Sequence, residues 1–416
     1  MPSPISIAII GGGPAGLTAG VLLQKHGIQF TIFDLRQKPT DEELAQPSGV
    51  LDLHEEAGLA ALREAGLYDE FLQFTGECSE AQKVSDKDGN ILWSDEGGLA
   101  ERPEISRHAL TSLLSSHIPS ENIKWGHKLL SWTEVTVTSE RGHKFELDFG
   151  SQGRHIFDLV IGADGAWSKV RNMLTSVKPH YAGIQCITMT IRQITAKYPH
   201  LAEMIGLGSF VALGHGHGVM TQRASQDSAR IYIMLSIKDE NFPTVSGLAD
   251  GPPSAAEDRL LNDLELLGLW GPLLKDLVVV ACDEDTSDRP NANLDIRPLY
   301  TLPIGSSWER LSGVTLIGDA AHLMTPWAGE GVNMAMLDAL ELVHVITKAH
   351  DASSTTTTAT LALLDPLMEQ FEKNMVARAK VKAEETAKNG EMMFGEDAAQ
   401  AFAKFFISAF GAAEAK

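Results

Sequence analysis

An α/β protein is predicted, with a Rossmann-like domain interleaved with an antiparallel-sheet domain and joined to a C-terminal bridging helix. Three observations lead there. A glycine-rich strand–turn–helix opens the chain, two later strands run into Asp-Gly and Gly-Asp turns, and a block of alternating β-like runs lies between those two. At 416 residues the chain is long enough for two domains.

The first strand is Ile5 to Ile10, an unbroken apolar run rich in β-branched residues, as expected of a strand buried on both faces. Gly11-Gly-Gly-Pro-Ala-Gly16 follows, then an apolar helical stretch from Leu17 to His26 that Gly27 ends. A second strand, Gln29 to Phe33, closes at Asp34, 18 residues after Gly16. Gly11 permits the tight turn, Gly13 lets a pyrophosphate approach the backbone, and Gly16 lets helix and strand pack closely. Pro14 and Ala15 lie in the same cofactor-binding turn, and the exposed N–H groups and positive end of the helix that follows suit phosphates. Asp34, with Leu35 and Arg36 beside it, is placed for ribose hydroxyls. The motif by itself does not separate NAD from FAD.

The second strand–turn runs Asp158-Leu-Val-Ile-Gly-Ala-Asp-Gly165, with Ser168 as N-cap of a short helix. Asp164 either faces a cofactor at the sheet's carboxyl edge or simply serves the turn. In the third, Val314 to Ile317 leads into Gly318-Asp319, a loop with Pro326 and Gly329-x-Gly331, and a helix bearing Asn333 and Asp338. Asp319 suits a ribityl or ribose hydroxyl, and the helix start near Gly331 can aim N–H groups at an anionic ring.

Together these three segments resemble the GxGxxG, DG and GD motifs of the class A FAD-dependent monooxygenases, the para-hydroxybenzoate hydroxylase family. The likeness spans about residues 5 to 340. Ser48-Gly-Val-Leu-Asp-Leu-His54, Pro103-Glu-Ile-Ser-Arg107 and Gly318-Asp-Ala-Ala-His-Leu-Met324 narrow it towards the tetracycline-inactivating monooxygenases. The resemblance implies an FAD-binding Rossmann-like (GR2-type) domain from residues 1–75, 104–175 and 296–350. Residues 76–103 and 176–295 would form the substrate domain, and 360–416 a C-terminal helical region.

It also implies site roles. Asp52 and Arg107 should touch the flavin or its ribityl-phosphate chain, and Asp319 the ribityl hydroxyls. The stretch Pro326, Gly329, Glu330, Gly331, Val332 and Asn333 should line the isoalloxazine. Arg107 has a plainer alternative as a surface cation. The implied chemistry is oxygen transfer from a C4a-hydroperoxyflavin to an aromatic or polyketide-like, tetracycline-like molecule, with NADPH or NADH and O2 as co-substrates. Glu330 departs from the neutral amide expected there, so it should face solvent or pair with a cation. The basic residue expected before Ser48 is missing from Glu42 to Gln46, which leaves Arg36 or Lys38 for the nicotinamide cofactor.

On the substrate side, strands are expected at Ala182–Arg192, Ser209–Gly214, His217–Arg223 and Arg230–Ile237. By resemblance Gln185 contacts substrate, its alternative being an outward-facing strand residue. His215, Met220, Pro326 and Trp327 complete the expected lining. An arginine expected near Ser209-Phe210 is absent. Gly214-His-Gly-His-Gly218 suits a tight hairpin better than a metal site, and no metal is expected. A Ser/Thr-rich linker, Asp351 to Ala359, precedes a long amphipathic helix, Leu361 to Lys388, ended by Gly390, and a phenylalanine-striped helix with Phe402, Phe405, Phe406 and Phe410.

Composition excludes other classes. Apolar residues make up 44% and charged residues 21%, ordinary for a globular protein, and a net charge of −21 disfavours nucleic acid and anionic membrane. Cys78, Cys186 and Cys282 are scattered and make no disulfide framework. A cytoplasmic monomer is expected. The halogenase signature Trp-x-Trp-x-Ile-Pro is absent. The remaining alternatives are an NAD(P)H oxidase-like activity and a flavin-binding protein without monooxygenase turnover.

Overall fold

A computed structural model describes residues 5–75, 79, 81–97, 103–136, 143–352 and 357–410. Five parallel strands form a sheet in the order Val314–Leu316, Leu159–Gly162, Ile7–Ile10, Phe30–Asp34, Ile123–Trp125. Ile7 pairs with Leu159 on one side and Phe30 on the other, and Val160 pairs with Val314. The three motif strands therefore lie side by side, and their turns emerge together at one edge. Burial on both faces explains why these strands are almost wholly apolar.

Helix Pro14–Lys25 packs on this sheet with helix Gly331–Ala352 beside it. A small antiparallel sheet, Ser131–Thr136, His143–Asp148 and Arg154–Phe157, flanks the same core. Another antiparallel pair joins Val50–Asp52 to Glu104–Ser106. It unites the two sequence segments that carry Asp52 and Arg107.

The second large sheet has seven strands, in the order Asp295–Thr301, His180–Ile191, Ser228–Ser236, His217–Ala224, Ser209–Gly214, Gln82–Asp86, Ile91–Asp95. All its pairings are antiparallel except Ser209–Gly214 with Gln82–Asp86. One face buries Ile187, Met189, Ile231 and Ile233 against helices Pro253–Asn262 and Pro272–Asp288. Those helices were not anticipated by the alternating pattern of neighbouring strands. The other face carries Ile184, Cys186, Met220, Tyr232 and Met234 towards Trp327 and Phe394.

The long C-terminal helix runs Thr357–Met393 and the last one Ala398–Phe410. Gly390 does not end the long helix. It lies inside it, where an added Cβ would come within 2.9 Å of the Trp327 ring, so it is a point of close approach. The predicted linker is helical at Asp351–Ala352 and from Thr357, and its middle lies outside the described residues. Phe402 and Phe406 are buried against Val84 and Trp93, while Phe405 is exposed. Cys186 and Cys282 are buried and free, and Cys78 lies outside the described residues. Among the described residues no helix is long and apolar enough to cross a membrane.

Candidate functional site

The first glycine turn separates what the protein needs from what a ligand needs. Gly11 has φ +113°, and a Cβ there would meet the Ala163 carbonyl at 2.1 Å. A Cβ on Gly16 would meet the Gly11 carbonyl at 2.0 Å. Around Gly13, by contrast, nothing lies within 4 Å of where a Cβ would stand. The space is open and faces the start of helix Pro14–Lys25, whose first turn carries no acidic residue and no side-chain cap. The first N–H groups of that helix lack intrahelical acceptors. The arrangement leaves open space beside unpaired N–H groups, the chemistry that suits an anion.

Asp34 ends the neighbouring strand. It accepts from the Gly12 N–H at 2.6 Å and from Arg36 through backbone and guanidinium. Burial opposes its charge, but Arg36 and the Gly12 N–H hold the carboxyl below the usual carboxylate range. Leu35 is exposed, and the Arg36 side chain is more than half exposed.

Asp164 turns inward. Its carboxylate accepts from the Ser168 hydroxyl and from the N–H groups of Lys169 and Val170, so it organises its own turn. Ser168 in turn accepts from the Arg171 N–H at 2.9 Å. Arg171 was not singled out in the sequence, yet its buried guanidinium donates to the Ala166 and Ala320 carbonyls and ties the Asp-Gly turn to the Gly-Asp turn. Asp319 is the acid left open to the cleft. The protein mass around it pushes its carboxyl above the usual range, against the pull of His322, Arg107 and Arg171.

Arg107 opens helix Arg107–Ser116, capped by Ser106. Its backbone N–H donates to the Gly49 carbonyl at 2.9 Å, and its exposed guanidinium acts on both Asp319 and Tyr232. Asp52 sits 3.0 Å from His54 Nε2. The buried Asn333 side chain accepts from the His54 and Gly58 N–H groups and donates to the Asp52 carbonyl. Asn333 thus holds the strand bearing Asp52, leaving its backbone to face the cleft.

Behind the Gly-Asp turn lies a buried ionic network. Asp338 accepts from the Gly318 N–H at 2.9 Å, meets His322 at 2.5 Å and binds Arg378 at 3.0 Å. Burial opposes the charge on both partners. Their mutual attraction nonetheless raises His322 above, and lowers Asp338 below, the ordinary value.

The second glycine turn completes the cleft. Gly329 has φ +68°, and nothing lies within 4 Å of where a Cβ would stand on Gly331. Helix Gly331–Ala352 makes its first backbone bond from Met334 N–H to the Glu330 carbonyl, so the N–H groups of Gly331, Val332 and Asn333 start the helix unpaired within it. Glu330 is not turned to solvent: its side chain is 12% exposed and pairs with Lys382. The expected pairing with a cation is what the structure holds.

Pro326 is exposed, and Trp327 stacks edge-on to Phe394 at 4.9 Å. Met220 joins Cys186 and Met234 on the facing sheet. Tyr232, unforeseen in the sequence, also stands there, its hydroxyl 2.8 Å from where a Gly49 Cβ would be. His215 occupies the hairpin tip with φ +52°, exposed. The structure does not bring Gln185 to this lining. Register puts it on the face of Ile187 and Leu235, opposite Cys186 and Met234, where its amide donates to the Asp239 and Glu240 carbonyls. Gln185 is buried rather than outward-facing. Among the described residues no cluster of three or more His, Cys, Asp or Glu is placed to hold a metal.

A family model described as an FAD binding domain matches residues 5–241 and 308–365. Monooxygenase asqM of Emericella nidulans is 34% identical over 98% of this chain and 99% of its own length. Monooxygenase penA of Penicillium thymicola is 37% identical over 82% and 84%. The chain belongs to the FAD-binding monooxygenase family. It is an FAD-dependent monooxygenase. HpxO of Klebsiella pneumoniae, solved with FAD and uric acid, is similar to it with a TM-score of 0.72 at 18% identity, covering 97% of this chain and 92% of that one. Salicylate hydroxylase in a substrate complex gives 0.70 at 17%, covering 98% and 95%. Tetracycline destructase Tet(51) gives 0.68 at 16%, covering 98% and 96%. At those identities the likeness is one of fold.

Proposed function

We propose that this monooxygenase uses NAD(P)H and O2 to oxygenate a small aromatic or polycyclic compound seated between the seven-stranded sheet and the Pro326–Gly331 loop. The supporting observation is the apolar, sulfur- and ring-rich cluster that Cys186, Met220, Met234 and Tyr232 of the sheet form with Trp327 and Phe394. Methionines adapt to ring shapes, and aromatic walls exclude water around the reacting carbon. Tetracycline-like polyketides fall within that class.

The residues fit FAD. The open space at Gly13 and the first N–H groups of its helix would hold the pyrophosphate. Asp34 would serve the ribose, and Asp319 and Arg107 the ribityl-phosphate chain. The helix start at Gly331, Val332 and Asn333 would face the ring system, where its dipole favours negative charge by up to about 2 kcal/mol. Bound FAD supplies the redox chemistry, taking electrons from NAD(P)H and passing oxygen to substrate. The protein's own residues bind, orient and exclude water.

NADPH and NADH oxidation by the FAD-loaded protein should be followed with a panel of phenols, anthraquinones and tetracyclines, with product masses. Faster oxidation together with a product one oxygen heavier supports the reading. Stimulated oxidation that ends only in hydrogen peroxide for every compound favours the oxidase-like alternative and overturns it.

A further inference from the structure

Glu330 poses a physical problem. Its carboxylate lies between Gly329 and Gly331, immediately before the helix whose first N–H groups would face the flavin on the function proposed above. A reduced flavin carries added negative charge, which a bare carboxylate nearby would disfavour. The chain answers with a residue 52 positions away. Lys382 Nζ binds Glu330 Oε1, and His54 Nδ1 stands 3.6 Å from its other oxygen.

Lys382 belongs to a stripe along the long C-terminal helix. Arg378 binds Asp338 and Glu341, Thr386 donates to the Thr325 carbonyl at 2.8 Å, and Asn389 donates to the Trp327 carbonyl at 3.1 Å. Gly390 lets Trp327 lie against the helix backbone. Spacings of four and three put these residues on one helix face. Every one of them grips the segment from Thr325 to Glu341.

We propose that Lys382 is a positioning residue that neutralises Glu330 and so sets the reduction potential of the bound flavin. Its neighbours bear on the same charge. Glu385 lies 3.3 Å from Lys382, and Asp52 lies 3.0 Å from the far side of His54. Burial works against the Lys382 ammonium, yet Glu330 and Glu385 hold it above its usual pKa. With Lys382 present the Glu330 charge is paired beside the N–H groups that the turn would offer the ring. Without it, the mostly buried Glu330 is left with His54 alone.

The test is a double-variant cycle on the full-length, FAD-reconstituted protein, read by the flavin midpoint potential and by FAD affinity. Lys382→Met should lower the ratio of reduced to oxidised FAD affinity at least tenfold, about 30 mV for a two-electron couple. Lys382→Arg should stay near the wild-type potential. Glu330→Gln alone should shift it less, and in the opposite direction. Lys382→Met combined with Glu330→Gln should return to the level of Glu330→Gln. An unchanged potential in Lys382→Met overturns the proposal, as does a fall that Glu330→Gln does not reverse, which would mark Lys382 as packing only. If Lys382→Met cannot fold, Glu330→Gln must restore folding and FAD binding, and failure to do so overturns the proposal equally.

Discussion

The two glycine turns proposed to face the flavin are held in place by different means. The first, Gly11 to Gly16, is assembled from the opening 36 residues, and its ionic tie, Asp34 with Arg36, spans two positions. The second, Gly329 to Gly331, carries an acid at its centre and is held from a helix about fifty residues further on. A local turn can be read from a motif. A turn held at long range depends on a tertiary register that no motif spells out.

Stability separates the two most strongly. Asp338→Asn would leave Arg378 and His322 without their buried acid, and urea unfolding should show a loss of about 3–5 kcal/mol. Arg36→Met takes a half-exposed guanidinium from the buried Asp34, which keeps the backbone N–H groups of Gly12 and residue 36, and should cost less, about 1–2 kcal/mol. Equal losses would break the distinction between them.

Ligand binding gives the next largest effect. Gly13→Val has room in the protein and an ordinary backbone conformation, φ −84° and ψ −175°. It should keep the unfolding midpoint while weakening FAD by at least about a hundredfold, roughly 2.7 kcal/mol, measured by titration of the apoprotein. Unchanged FAD affinity would show that the open space at Gly13 is not the phosphate site.

The pH dependence follows from the buried pair behind the second turn. His322 is raised above its ordinary 6.5, so its contribution is complete below about that pH and is lost as pH rises through the raised value. Asp338 is lowered below 3.8, so its contribution is present above that pH and is lost as pH falls through the lowered value. The gap in melting temperature between wild type and His322→Gln should be widest between about pH 4 and 6.5 and narrow towards alkaline pH. A constant gap would mean that His322 acts by packing alone.

The smallest effect concerns the two faces of the large sheet. Gln185→Leu should leave kcat/KM within about threefold, whereas Trp327→Ala should lower it more than about tenfold, 1.4 kcal/mol. Steady-state kinetics on an accepted substrate would measure both. A larger loss at Gln185 would return it to the substrate site.

Much of this architecture is legible in the sequence. Ile5–Ile10, Leu159–Ile161 and Val314–Ile317 read as buried strands because both their faces are apolar, and adjacency in one sheet then gathers their turns. Three features escaped for physical reasons. The side of a strand on which Gln185 falls depends on register, since one residue of shift reverses every side chain. Gly390 looks like a helix stop because glycine usually is one, while here it gives way to the Trp327 ring. Arg378 and Lys382 look like solvated charges until the helix is docked on Asp338 and Glu330.

The most direct test of the central claim is turnover under oxygen-18 gas with FAD, NAD(P)H and an accepted aromatic substrate. The account predicts a product carrying one atom of oxygen-18, the second atom appearing in water. A product labelled only from solvent water, or complete conversion of the labelled gas to hydrogen peroxide, would contradict it.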